Sequence, residues 1–140
     1  MLDELEKEGY IKRLPVNKKK IEDALNLAKR DIKAAKTILR ENDDWAFSIA
    51  YNAMLQAIRA LMFSKGYRPS GRNQHISVVR FAELFLRKED VTILDRMRRK
   101  RHITTYNAAG TISEREAENA IERAEKLVHE IERMFKDNSK

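Results

Sequence analysis

The 140-residue chain has no cysteine, which excludes a disulfide framework and any thiolate metal site. It has only two prolines and four glycines, little material for tight turns, so few and long elements are expected. Long hydrophobic runs are also missing. The most apolar stretch, Trp45 to Phe63, is broken by Ser48, Asn52, Gln56 and Arg59, and reads as a buried helix instead of a membrane span. The opening MLDELEKEGYIKRL is acidic and lacks the apolar centre of a signal peptide, so a soluble cytoplasmic protein with no membrane partner is the expectation. The three histidines are dispersed, and neither HExxH nor a Gly-rich phosphate loop occurs. No metal site and no resident cofactor are expected.

An apolar share of 42% beside 36% charged residues suits a globular helical protein. The net charge of +7 permits an anionic partner without requiring one. Residues 1–16 read as an N-terminal arm with one short helical turn, and Pro15 favours an extended approach to the next element. Residues 17–138 read as a single domain. Asn17 caps a first long helix over about 18–41, whose Ile21, Ala24, Leu25, Ala28, Ile32, Ala35, Ile38 and Leu39 fall on one stripe.

Asp43 or Asp44 is the expected cap of a second helix that Gly66 stops. Its Ala46, Ala50, Ala53, Ala57 and Ala60 form a small-residue seam for close helix approach. A polar line of Ser48, Asn52, Gln56 and Arg59 lies on another face. After the loop at 67–74, a short helix over 75–86 begins at His75, placed to cap it or to line a cleft. Asp90 opens a helix of about 91–107, and Ser113 with Glu116 has capping-box spacing for the last one, whose Ala117, Ala120, Ile121, Ala124, Leu127, Val128, Ile131, Met134 and Phe135 form a long apolar stripe. No strand pattern competes. The fold class is all-α, an antiparallel up-down bundle of four or five helices.

The most unusual segment is RMRRKRHITTY, residues 96–106. On a helix, Leu94, Met97, Arg101 and Thr104 share the phase of a core stripe, which puts a guanidinium where an apolar residue is expected. A buried charge is costly unless paired. Asp95, Arg98, His102 and Tyr106 lie on a second face. Three readings are open: a charged helix end favoured by the helix dipole, a phosphate-binding surface, and a catalytic site. In the catalytic reading an imidazole accepts the proton of a ribose 2′-hydroxyl while an arginine stabilises the charge developing on phosphate.

Two blocks resemble HEPN-domain proteins. IAYNAMLQAIRALMFSKGYRPSGRNQH, residues 49–75, is similar to the second helix and following loop of one prokaryotic branch. LDRMRRKRHITTYNAAGTISEREAENAIERAEKLV, residues 94–128, is similar to its Arg-rich helix and closing helix. The resemblance implies a HEPN-like bundle, a homodimer with facing Arg-rich helices, and a minimal nucleotidyltransferase as partner in a toxin–antitoxin type system. It also implies two candidate roles: a subunit that binds nucleotide or RNA phosphate, or a metal-independent ribonuclease.

Arg96 and His102 fit the family's arginine–spacer–histidine motif. A second alignment uses Arg101 as motif arginine and leaves Tyr106 where the histidine belongs, and a phenol is a poor general base near neutral pH. The candidate catalytic residues are therefore Arg101, His102, Tyr106 and Arg96. The candidate phosphate- or nucleotide-binding residues are Arg98, Arg99, Asn52, Gln56 and His75.

Overall fold

A computed structural model of the chain describes residues 1–138. In chain order the elements are α1 (Leu2–Lys7), β1 (Ile11–Arg13), α2 (Lys18–Ile38), α3 (Asp43–Ser64), β2 (Tyr67–Pro69), α4 (Gln74–Phe85), α5 (Lys88–His102), a π-helical turn (Ile103–Asn107) and α6 (Glu114–Asn138). The helices form the expected all-α antiparallel bundle around α3, which packs against α2, α4, α5 and α6. Cross-links show how α2 and α6 run. Lys29 reaches Glu132 at 2.9 Å and Lys36 reaches Glu125 at 3.0 Å, so one number rises as the other falls. These exposed pairs orient the helices but stabilise them little.

The core follows from the stripes. Ala24, Leu25, Ala28, Ile32 and Ala35 of α2 and Ala117, Ala120, Ile121, Ala124, Leu127, Val128 and Ile131 of α6 are buried against α3. All five seam alanines of α3, Ala46, Ala50, Ala53, Ala57 and Ala60, have no exposed surface. A larger side chain there would overpack at a cost of about 1–3 kcal/mol. The α6 start is a reciprocal cap: Ser113 Oγ accepts the Glu116 N–H at 3.1 Å and Glu116 Oε1 accepts the Ser113 N–H at 3.2 Å. Asn17 Oδ1 likewise caps α2, accepting the Lys19 N–H at 2.9 Å.

Several boundaries differ from the sequence expectation, each for a local reason. The cap of α3 is Asn42, whose Oδ1 accepts the Trp45 N–H at 3.0 Å, and not Asp43 or Asp44. Asp44 is instead committed to the loop before α6, accepting the backbone N–H groups of Gly110 at 2.6 Å and Ile112 at 3.2 Å. Gly110 turns that loop with φ of 73°, a left-handed conformation that glycine adopts freely. Helix α5 begins at Lys88, with Asp90 already inside its first turn. Its continuation to residue 107 is present, but the last five residues widen into the π turn, closed by Ala108 N–H to Ile103 O at 2.9 Å.

The other departure is a small antiparallel sheet, with Ile11 opposite Pro69 and Arg13 opposite Tyr67. Strands of three residues are too short for an alternating pattern to be read. The pair is extended by Leu14 N–H to Gly66 O at 2.9 Å and Ser70 N–H to Tyr10 O at 2.8 Å, and Ile11 is fully buried. This strap matters for the site. It lays the 67–73 link back along α3, so that α4 starts beside Tyr51 instead of beyond the end of α3.

Candidate anion-binding site

Helix α5 is built to carry its basic end. Glu89 and Asp90 occupy the first turn and Arg99, Lys100, Arg101 and His102 the last, the charge order that complements a helix dipole. Leu94, Met97 and Thr104 are buried, and Arg101 on the same phase is half-buried. Its guanidinium carbon lies 5.9 Å from the centre of the Tyr51 ring, within cation–π range. The Arg101 Nε is sealed from solvent with no hydrogen-bond partner, and the Tyr51 hydroxyl beside it is in the same condition. Among the described residues no carboxylate pairs with Arg101. Two unsatisfied buried polar groups on neighbouring side chains are unusual, because each costs about 1–3 kcal/mol.

His75, at the start of α4, completes the cluster with its ring 6.0 Å from that of Tyr51. Burial first, and then the charges of Arg101, Arg59 and Arg98, hold its imidazole below the ordinary histidine range, so it is neutral near pH 7. Burial pushes the Tyr51 phenol well above its usual value, and Arg98 and Arg101 only partly oppose this. Arg98 is anchored by Asp95 at 3.1 Å, and Arg99 reaches the same carboxylate at 3.6 Å. Arg59 of α3 is half-buried and, among the described residues, makes no hydrogen bond or ion pair. The charges of Arg98 and Arg101 thus act on both His75 and Tyr51, and that of Arg59 on His75, with Asp95 the carboxylate in ion-pair contact with Arg98. Beside them a groove of about 230 Å³ runs between α4 and α5, lined by Ile76, Val79, Arg80, Glu83, Asp95 and Arg98. A neutral imidazole, a phenol and guanidinium groups are all donors suited to a phosphate.

The remaining candidates lie elsewhere within one chain. His102 is exposed and pairs with Tyr106, ring centres 4.9 Å apart and tilted by 48°. Tyr106 is 69% exposed. These two rings face solvent, whereas Arg101 turns inward. Arg96 lines a different groove, of about 240 Å³, between α5 and α6 with Met97, Lys100, Glu116 and Arg123. There Lys100 is paired with Glu116, and that bond holds the Glu116 carboxyl below its usual range.

Asn52 points to α2 and donates Nδ2–H to Asp31 at 2.8 Å. Asp31 is a buried carboxylate that also accepts from Arg30 at 3.0 Å. Gln56 is half-buried on α3, five residues past Tyr51, and has no hydrogen-bond partner among the described residues. Of the residues singled out from sequence, the fold brings together Arg98, Arg101 and His75, and adds Tyr51, with the charge of Arg59 also acting on His75. Arg59, a lone cation in a helix apolar over most of its surface, carried a signal in sequence. Tyr51 carried none, since a buried tyrosine reads as core.

The family model for the HEPN domain matches residues 21–134 of the chain. Among solved structures, TT1696 from Thermus thermophilus is similar in fold, with a TM-score of 0.62 and 21% identity over 81% of this chain and 96% of that one. No curated protein matches.

Proposed function

Because the chain belongs to the HEPN-domain family, we propose that it is a binding subunit that takes the phosphate of RNA or of a nucleotide on its arginine-lined site. The observation that carries this reading is Arg101, half-buried over the Tyr51 ring with no carboxylate partner among the described residues, its charge acting with those of Arg59 and Arg98 on His75. A cation held half-buried without a carboxylate is destabilising until an anion arrives. In this reading residues 17–138 are the HEPN-like domain and residues 1–16 an arm. The cytoplasmic protein is a homodimer and works beside a minimal nucleotidyltransferase in a toxin–antitoxin type pair. The exposed apolar side chains of Ile103 and Tyr106, at 45% and 69%, support a protein interface near the end of α5.

The test is affinity for a short single-stranded RNA at low salt, for the parent and for Arg101→Met and Arg59→Met. Loss of one charge-assisted hydrogen bond is worth about 1.5–3 kcal/mol, or roughly tenfold to a hundredfold in affinity. Equal affinity in all three proteins contradicts the reading.

A second reading is a metal-independent ribonuclease. It is favoured by the neutral His75 imidazole among arginines, which has the protonation state of a general base. His102 would then serve only if a second protomer carried it across the dimer. RNA cleavage in EDTA leaving a 2′,3′-cyclic phosphate, abolished in His75→Ala or His102→Ala, separates this reading from pure binding.

A further inference from the structure

One turn beyond the contact of Arg101 with Tyr51 lies a separate pocket of about 220 Å³, between the start of α3 and the π turn. It is lined by Asn42, Asp44, Trp45 and Ser48 from the start of α3 and by Thr104, Thr105 and Ala109 from the π turn and the loop after it. Ser48 precedes Tyr51 by three residues on α3, and Thr104 follows Arg101 by three. The pocket is therefore displaced from the arginine site by about 5 Å along both helices. Trp45 is 58% exposed, although it is the largest apolar side chain in the protein. Ser48 is only 6% exposed, yet its hydroxyl has no hydrogen-bond partner among the described residues.

We propose that this pocket is a nucleobase subsite, in which a base stacks on the Trp45 indole and hydrogen-bonds the Ser48 hydroxyl while its phosphate lies on Arg101. The inference rests on the phosphate-binding reading above and adds to it where the base goes. Charge fixes the orientation. Asp43 and Asp44 stand in the first turn of α3 and repel a phosphate from the pocket, whereas the unpartnered Arg101 attracts one on the neighbouring turn. The π-turn side of the pocket is held in place. Asp44 grips the loop at Gly110 and Ile112, and the Thr104 and Thr111 hydroxyls bond to each other. A rigid slot with an aromatic face on one side accepts any base, because every base offers a π-face.

Trp45 is the single tryptophan in the chain, so its emission reports on this pocket alone. The full chain is titrated with a short mixed-sequence single-stranded RNA, with an abasic oligonucleotide of equal length, and with inorganic pyrophosphate. Binding is followed in parallel by anisotropy of labelled RNA. The expected result is saturable quenching by the RNA only, and affinity for the RNA about tenfold weaker in Trp45→Leu but near the parent value in Trp45→Phe. RNA binding that depends on Arg101 but leaves Trp45 emission unchanged, with Trp45→Leu binding normally, overturns this inference and leaves the phosphate site standing. Emission that changes with protein concentration and not with RNA also overturns it, since a second copy then covers the indole. Absence of RNA binding at low salt overturns both readings.

Discussion

Replacing Arg101 with methionine separates a structural arginine from a functional one. Methionine keeps an unbranched stem of similar reach, so most packing against Tyr51 is retained while the charge and the sealed Nε–H disappear. The unsatisfied Nε–H costs the native protein about 1–3 kcal/mol. The guanidinium over the Tyr51 ring at 5.9 Å returns about 0.5–2 kcal/mol. These terms offset, and Arg101→Met is expected to change stability by less than about 1 kcal/mol, on the stabilising side if by more. For a domain of this size that is within roughly 4 °C in Tm. Affinity for single-stranded RNA should fall about tenfold to a hundredfold in the same protein. Thermal melts and RNA titrations on one preparation read both quantities. A variant that loses more than about 2 kcal/mol while binding RNA like its parent would show that Arg101 is held for the fold, and the anion-site argument would fail.

Three further outcomes are expected from the same structure. Asn52→Ala removes a donor from the buried Asp31 carboxylate, so denaturant unfolding should show a loss of about 1–3 kcal/mol with RNA affinity unchanged. Acidification should destabilise the protein through His75, whose folded-state proton affinity is lowered. Its contribution is complete above the unfolded value of about 6.5 and is lost as pH falls through the lower folded value. His75→Asn should flatten that part of the stability profile, and an unchanged profile would refute the assignment. Ser113→Ala breaks the reciprocal cap of α6 and should cost about 1 kcal/mol in an unfolding titration, with the site unaffected.

The parts of the fold that were legible in sequence are those governed by short-range rules. The α2 and α6 stripes, the alanine seam of α3 and the Ser113–Glu116 cap depend on spacings within one helix, and each lies where the spacing placed it. The inward phase of Arg101 was legible for the same reason. Features decided between elements were not. Nothing near Asn52 in sequence announces that Asp31 of α2 will accept its amide hydrogen, and nothing near Asp44 announces the loop at Gly110. The Asn42 cap was displaced in the reading by two adjacent aspartates of equal capping ability.

The His102–Tyr106 pair shows a subtler limit. The helical phase places the two rings together, and they are together, but the π turn and their exposure separate them from Arg101. His75 instead reaches the arginines because a two-stranded strap, too short to carry a pattern, carries the chain back along α3. The site is therefore assembled by tertiary routing, and the histidine nearest in sequence to the arginines is not the one the fold brings among them.

The central claim is that Arg59 and Arg101 hold an anion, and the salt dependence of binding tests it most directly. Each phosphate neutralised on a single strand contributes about 0.7 to the slope of log affinity against log salt. For the double variant Arg59→Met/Arg101→Met, single-stranded RNA binding is predicted to show a slope shallower than the parent's by about 1.4. Parallel lines for parent and double variant would contradict the account.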